Sequence, residues 1–167
     1  DQPSVQADGS LLFDGVSDFL KSASFTLNQP ETIYFLGRQV TWTNTDHVLD
    51  GDAAASGAIR QNNSSPEVVI NAGSGTAANT NWILNTYAVI CVVFNGASSL
   101  CQVNNTAPTT GNANTNNMSG FTMGARGDGT LFGNIQAKES IIYATAHDAQ
   151  TRARVIRYLA LVGGVTL

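Results

Sequence analysis

The protein has 167 residues and a formal net charge of −4, with 43% hydrophobic but only 12% charged residues. This length suits a single domain, and the hydrophobic share is that of a folded protein, which excludes general disorder. The acidic balance argues against nucleic acid or an anionic membrane as the main partner, and no segment approaches the roughly 20 apolar residues of a membrane span.

Short apolar runs separated by turn residues follow one another along the chain. The runs lie at Leu11 to Phe13, Thr32 to Leu36, Val68 to Ile70, Tyr87 to Phe94, Leu100 to Val103, Phe121 to Met123 and Glu139 to Tyr143. With no helical pattern between them, they predict an all-β fold, a two-sheet antiparallel β-sandwich. The first ten residues are polar, and we expect the domain to span residues 11–167.

Two polar stretches interrupt the strand pattern. Gly51 to Pro66 and Ala107 to Gly120 contain few residues that a core would bury. Ala107 to Gly120 is predicted to be a long loop, and Gly51 to Pro66 is predicted to be another long loop or a frayed edge hairpin.

One short helix is predicted near the C-terminus. Asp148 is a suitable N-cap, Val155, Ile156, Leu159 and Val162 lie on one face, and Gly163-Gly164 ends the pattern. We expect this helix to pack on the sandwich, with Val165 to Leu167 adding a terminal strand.

Cys91 and Cys101 flank Asn95-Gly96, a hairpin signal. A three-residue loop would place the two cysteines opposite each other, whereas two or four residues would place them on opposite faces of the sheet. Two buried thiols are the default expectation, and a disulfide is the alternative.

The residue pattern argues against catalysis. His47 and His147 are predicted to be surface or loop residues, because the histidines and cysteines lack the clustered spacing of a zinc site. Gly73-Ser74-Gly75 is predicted to be a turn and not a phosphate loop. Glycoside hydrolysis needs two carboxylates, and Glu139 alone lies within a confidently predicted strand, so we expect a non-enzymatic protein.

An acidic cluster and a tripeptide each have a simple interpretation. Asp46, Asp50 and Asp52 are close enough to suggest calcium, but a solvated acidic turn is favoured and no cofactor is expected. Arg126-Gly127-Asp128 spells the integrin tripeptide, yet the surrounding glycines predict only a tight turn.

The candidate ligand-binding residues are Trp42, Asn44, Asp46, Arg126 and Asp128. An aromatic face can stack on the C–H face of a sugar ring, while short polar side chains and an arginine bind its hydroxyls. Trp42 and Trp82 both lie among polar residues, and Trp82 is the one expected to be in the core.

Several stretches together resemble one known family. They are Phe13-Asp14-Gly15-Val16-Ser17-Asp18-Phe19-Leu20, Glu31-Thr32-Ile33-Tyr34-Phe35, Val93-Phe94-Asn95-Gly96 with Val103-Asn104-Asn105, Phe121-Thr122-Met123-Gly124, Phe132-Gly133 with Glu139-Ser140-Ile141-Ile142-Tyr143, and Arg157-Tyr158-Leu159-Ala160. In their order and spacing they resemble the laminin-G-like, or concanavalin-A-like, jelly roll. The segment Val48 to Asn81 departs from the family pattern.

The resemblance implies binding and not catalysis. Similar domains occur in phage virion proteins and in carbohydrate-binding modules. A glycan or cell-surface polysaccharide is therefore the expected partner, and the expected location is extracellular or on a virion surface. The alternative is a structural decoration or tail domain that contacts other virion proteins and binds no small ligand.

Overall fold

The computed structural model describes residues 1–73 and 77–167, and over these residues it shows two antiparallel β-sheets and one α-helix. The sheets enclose a common core, which confirms the predicted β-sandwich. The predicted turn at Gly73-Ser74-Gly75 lies partly outside the described residues.

Within the described residues, the first sheet has seven strands. Their spatial order is β1 (Ser4–Val5), β2 (Leu11–Leu12), β13 (Ile135–Tyr143), β4 (Glu31–Gln39), β9 (Ala88–Phe94), β10 (Ser99–Val103) and β11 (Thr109–Gly111).

The second sheet has six strands in the same part of the chain. Their spatial order is β3 (Leu20–Lys21), β12 (Thr122–Met123), β5 (His47–Asp50), β6 (Ala58–Gln61), β7 (Val68–Asn71) and β8 (Ala77–Asn79).

Strand β4 is apolar on both faces because both faces are covered. Ile33 and Phe35 belong to the core between the sheets, whereas Tyr34 and Leu36 point the other way. Successive side chains of a strand alternate between faces, so the continuous apolar run of β4 requires a second covering layer. The helix supplies that layer.

Helix α1 (Ala149–Gly163) packs on the outer face of the first sheet through Ile156 and Leu159. The Asp148 carboxylate accepts a hydrogen bond from the Thr151 amide at 2.7 Å, as the N-cap prediction requires. At the other end, Gly164 has a left-handed backbone with φ of 68°. Within residues 1–73 and 77–167, no helix has the length and apolar character needed to cross a membrane.

The predicted terminal strand Val165 to Leu167 is wrong. The amide of Val165 donates to the Ala160 carbonyl at 2.8 Å, so it caps the helix and is not available to a sheet ladder. The Val165 side chain packs against the cluster beneath the helix.

The prediction of a long loop or a frayed edge hairpin over Gly51 to Pro66 is also wrong, because this segment contains β6, an interior strand of the second sheet. The sequence pattern of this strand is weak because Ile59 is its only large apolar residue. Gln61 is buried as well, and its amide nitrogen donates to the Gln39 side chain at 2.7 Å and to the Thr41 carbonyl at 2.8 Å. The second predicted loop, Ala107 to Gly120, contains only the short β11.

Cys91 and Cys101 are free and buried, in agreement with the default expectation. The register pairs Cys101 with Val92 and not with Cys91, so four residues separate β9 from β10. Cys91 consequently lies beneath the helix and Cys101 in the core between the sheets. Burial raises the pKa of each thiol to about 12, which keeps both protonated.

Candidate functional site

The outer face of the second sheet carries a pocket with a volume of about 160 Å³, which we call the outer-sheet pocket. Four of its lining residues are on adjacent strands, namely His47 on β5, Ala58 and Arg60 on β6, and Asn71 on β7. The register places His47 opposite Arg60, and Ala58 opposite Asn71. Because Ile59 and Ile70 point into the core, their neighbours along each strand point outward and form the floor of this pocket.

Loops complete the wall of the pocket with Thr45, Ala55, Arg126 and Leu131. Three of these have a left-handed backbone although they are not glycine, with φ of 78° for Thr45, 54° for Ala55 and 52° for Leu131. A β-branched or bulky residue in this conformation is strained by roughly 1 to 3 kcal/mol, and such strain concentrates at functional sites. The fold therefore holds the loops around the outer-sheet pocket in backbone conformations that these residues disfavour.

The buried Asp50 carboxylate holds two of these loops in position. It accepts hydrogen bonds from the amides of Gly51, Ala55, Ser56 and Gly57 at 2.8 to 3.2 Å, and from the Gly127 amide at 3.2 Å. The first four amides belong to the loop that carries Ala55, and the fifth to the turn that carries Arg126. Burial raises the pKa of Asp50, and these amide donors oppose the increase because they favour the carboxylate.

His47 was predicted to be a surface or loop residue, but the structure places it in β5 with only 3% of its surface exposed. Its Nδ1 atom is buried and has no hydrogen-bond partner of good geometry. Burial lowers the pKa of His47 to about 4, although a backbone interaction with Thr45 opposes part of the decrease. At neutral pH the pocket therefore contains an uncharged imidazole that has hydrogen-bonding capacity to spare.

Two arginines give the pocket its charge. Arg126 binds the Asp128 carboxylate through Nε at 2.9 Å and Nη2 at 2.6 Å. Arg60 donates through Nη1 to the Asn62 side chain at 3.2 Å and to the Gln61 carbonyl at 3.4 Å, both of which are uncharged. Among the described residues, no carboxylate lies within ion-pair distance of Arg60.

The five predicted ligand-binding residues are divided between the pocket and its surroundings. Arg126 lines the pocket, and Asp128 lies beside it, bonded to Arg126. The side-chain Oδ1 of Asn44 accepts from the backbone amide of Asn63 at 3.1 Å, and Asp46 is half-buried. Trp42 is half-buried and its Nε1 lacks a partner. The ligand-binding role of all five stays a prediction.

The loop with Trp42, Asn44 and Asp46 is anchored to β6 by Gln61. The backbone amide of Thr43 donates to the Gln61 side chain at 2.7 Å, and the backbone amide of Gln61 donates to the Asp46 backbone carbonyl at 2.8 Å. The same loop carries Thr45 into the pocket wall. Trp82, in contrast, is fully buried in the core and packs edge-on against Phe35 with ring centroids 5.8 Å apart.

The interpretation of Asp46, Asp50 and Asp52 as one solvated acidic turn is wrong for Asp50. The chain folds Asp50 into β5, where backbone amides take the place of water around its carboxylate. Asp52 instead forms an ion pair with Lys21 at 3.0 Å. In the part of the chain that the structure describes, no group of three or more His, Cys, Asp or Glu side chains has the arrangement of a metal site.

A second cavity, of about 300 Å³, opens beside the core and includes Leu11, Leu20, Phe121, Met123 and Glu139 in its wall. Most of these side chains are apolar and pack against the core. Glu139 lies here, at the β-bulge where β13 pairs irregularly with β4. Lys138 and Ser140 also line this cavity, so polar and charged side chains of β13 contribute to its wall beside the apolar ones.

Sequence reasoning missed His47 and Arg60 as functional candidates. Arg60 lies in the segment that was predicted to be a loop, so its outward direction was not recognised. The available signal was the short alternation Ala58-Ile59-Arg60-Gln61 after Gly57, which is weak because only one residue in it is large and apolar.

No protein-family model matches this sequence, and no curated protein matches it either. Solved structures match at the level of fold. The sialidase of Trypanosoma rangeli aligns with a TM-score of 0.69 and 14% identity, over 95% of this chain and 28% of the sialidase chain. The heptameric SAP-like pentraxin of Limulus polyphemus aligns with a TM-score of 0.66 and 12% identity, over 88% of this chain and 81% of the pentraxin chain.

The present chain therefore spans less than a third of the sialidase chains it matches, and most of the pentraxin chain. Both neighbours contain a β-sandwich of the jelly-roll type. At these identities the likeness concerns architecture alone. The resemblance in the sequence motifs and the likeness in structure agree that this chain has the concanavalin-A-like jelly-roll fold.

Proposed function

We propose that this chain is a non-catalytic binding module for glycans, and that the outer-sheet pocket is its binding site. The observation that carries the proposal is a pocket with strained, firmly held loops and a buried imidazole without a good partner. Strain of this kind persists where the surrounding structure holds it, which is common in preformed ligand sites.

The size and lining of the pocket suit one sugar ring. A volume of about 160 Å³ is the space of about five water molecules. Arg60, Asn71 and His47 offer hydrogen-bonding groups for hydroxyls, while Ala58 and Leu131 offer apolar contact for C–H groups. Structures of the Trypanosoma rangeli sialidase include a complex with sialic acid, which supports a sugar ligand by analogy of fold only.

The lining supports binding rather than hydrolysis. None of the described residues that line the pocket is a carboxylate, and a hydrolytic site of the usual kind needs two. We place the function outside the cell, where surface polysaccharides are found.

A pocket-filling substitution tests the proposed site. Ala58→Leu adds a side chain inside the pocket, because Ala58 is fully buried on its floor. We expect this variant to lose at least tenfold in affinity on a glycan array or on insoluble polysaccharide, and its melting temperature is measured in parallel because added volume at a buried position destabilises a well-packed fold. Ala78→Leu is the matched control, since Ala78 is exposed on the same face at β8 and does not line the pocket. Absence of binding to every glycan by the parent protein would contradict the proposal and favour a structural role.

Trp42, on the loop that carries Thr45 into the pocket wall, gives an independent prediction. Stacking of its indole on a sugar ring is worth about 1 kcal/mol, so Trp42→Ala should weaken glycan binding roughly five- to tenfold. The melting temperature should change little, because Trp42 is only half-buried. Trp82→Ala serves as the comparison, since removal of a fully buried tryptophan costs about 3 to 5 kcal/mol. If Trp42→Ala lowers the melting temperature as much as Trp82→Ala, Trp42 is a core residue and its assignment to the site is wrong.

A further inference from the structure

The outer-sheet pocket contains a cation that the protein neutralises only in part. The Arg60 guanidinium is half-buried, and its hydrogen bonds to described residues go to a carbonyl and an amide oxygen. Burial lowers the pKa of Arg60, and the charge of Glu67 compensates in part from beyond ion-pair distance. A desolvated guanidinium without a carboxylate partner is an unfavourable arrangement that an anionic ligand would relieve.

Arg126 also lines the pocket, but Asp128 neutralises its charge by binding Nε and Nη2. Arg126 Nη1 has no hydrogen bond in the part of the chain that the structure describes. The charges of Arg60, Arg126 and Asp128 all act on the His47 imidazole, and of the two guanidinium groups Arg60 is the one without a carboxylate at ion-pair distance among the described residues.

We infer that the outer-sheet pocket selects a carboxylate-bearing sugar, with Arg60 as the residue that determines this specificity. The inference rests on the proposed glycan-binding function and names its ligand class. The planar guanidinium of Arg60 presents parallel N–H groups that match a carboxylate, while Asn71 and His47 remain for the ring hydroxyls.

The overall charge of the protein favours a single carboxylate per binding site over a densely charged chain. The net charge of −4 repels a polyanion at long range, and the other cations are few, with eight Lys and Arg residues in all. The selectivity therefore comes from the local pocket and not from the field of the whole molecule.

Matched acid and ester ligands test the inference. The ligands are the methyl glycosides of glucuronic, galacturonic and N-acetylneuraminic acid, each compared with its methyl ester, which keeps the ring and removes the charge. We expect at least one acid to bind ten- to a hundredfold more tightly than its ester, as charge-assisted hydrogen bonds to arginine predict. Binding of the acid should weaken as the NaCl concentration rises. In an NMR titration of the parent protein, the acid should shift the Arg60 Nε–H resonance.

Arginine variants identify the responsible residue. Arg60→Gln should remove most of the difference in affinity between each acid and its ester, whatever its effect on the hydroxyl contacts that both ligands share. Arg157→Gln, on the exposed face of helix α1, removes the same charge far from this sheet and should change neither. The NMR titration needs no variant, so the test holds even if Arg60→Gln folds poorly.

Two outcomes overturn the inference, and they are distinguishable. Equal binding of acids and esters, or retention of the preference in Arg60→Gln, shows that the pocket binds sugars without selecting the carboxylate, and the proposed function stands. No binding of any acid, ester or neutral glycan overturns the inference and the proposed function together.

Discussion

Replacement of Asp50 by alanine is expected to destabilise the protein by about 4 kcal/mol or more and to abolish ligand binding at the outer-sheet pocket. The substitution leaves the five amide donors around this carboxylate buried without an acceptor, and each unsatisfied buried donor costs roughly 1 to 3 kcal/mol before the loops relax. Denaturant unfolding measures the loss of stability.

Replacement of Asp50 should also loosen the two loops that its carboxylate joins. Because Asp50 connects the loop with Ala55 to the turn with Gly127, hydrogen exchange at these two amides should accelerate far more than exchange in β4 or β9. Asp50→Asn should cause an intermediate loss of stability, since one acceptor oxygen remains while the new NH₂ group lies against N–H donors and cannot accept from them.

Asp52→Ala is the control for the Asp50 prediction. Asp52 is two residues away, partly exposed, and paired with Lys21 at 3.0 Å. Removal of a surface ion pair of this kind costs at most about 1 kcal/mol. Equal losses of stability in the two variants would show that the Asp50 carboxylate does not organise the pocket.

Glu31→Gln is expected to stabilise the protein at alkaline pH. Glu31 is fully buried on the inward face of β4, opposite Phe94, and neither carboxylate oxygen has a hydrogen-bond partner among the described residues. Burial raises the pKa of Glu31 to about 8 from the usual 4.5, since a buried charge without a partner is unfavourable.

The direction in which stability changes with pH follows from the protonation of Glu31 in the folded and the unfolded chain. Below about pH 4.5 the carboxyl group is protonated in both the folded and the unfolded chain, and the full stability is present. As pH rises from 4.5 to 8, the unfolded chain releases the proton and the folded chain keeps it. Stability then falls by about 1.4 kcal/mol per pH unit, to a total of roughly 5 kcal/mol. Above pH 8 the loss is constant.

Glu31→Gln keeps a neutral side chain of the same shape and should remove this contribution. Thermal or urea unfolding from pH 4.5 to 9 should show parent and variant with similar stability in acid and with stabilities that differ by several kcal/mol at pH 9.

Comparison of the two proteins is essential, because His47, whose pKa is lowered to about 4, contributes stability that is lost as pH falls. Glu139→Gln removes the same charge from a half-buried position in β13 and provides the matched control. Parallel curves for the parent and Glu31→Gln would show that Glu31 is hydrated or paired.

Sequence periodicity was sufficient for elements whose own side chains form the core. The long apolar runs of β4 and β9 predict buried strands because each buries large residues on both faces. Helix α1 was predictable because its cap and stop signals are local, with Asp148 at one end and Gly164 at the other. The fold class followed from these elements.

Strand β6 and the cysteine pair show where sequence was insufficient. Gln61 is buried through hydrogen bonds to residues 22 and 20 positions earlier in the chain, and no local sequence pattern indicates such partners. The relation of Cys91 to Cys101 depended on the loop length, because one step of register moves a side chain to the other face.

The sequence by itself determined that this protein is an acidic, largely uncharged β-sandwich with a capped C-terminal helix, because these properties come from composition and from contacts close along the chain. Only the tertiary structure decided the pocket. His47, Arg60, Asn71 and Arg126 come from separate segments, and the sheet register and the amides around Asp50 bring them together. Such contacts are set by long-range pairing, so the residues that line the pocket carry no common signal in the sequence.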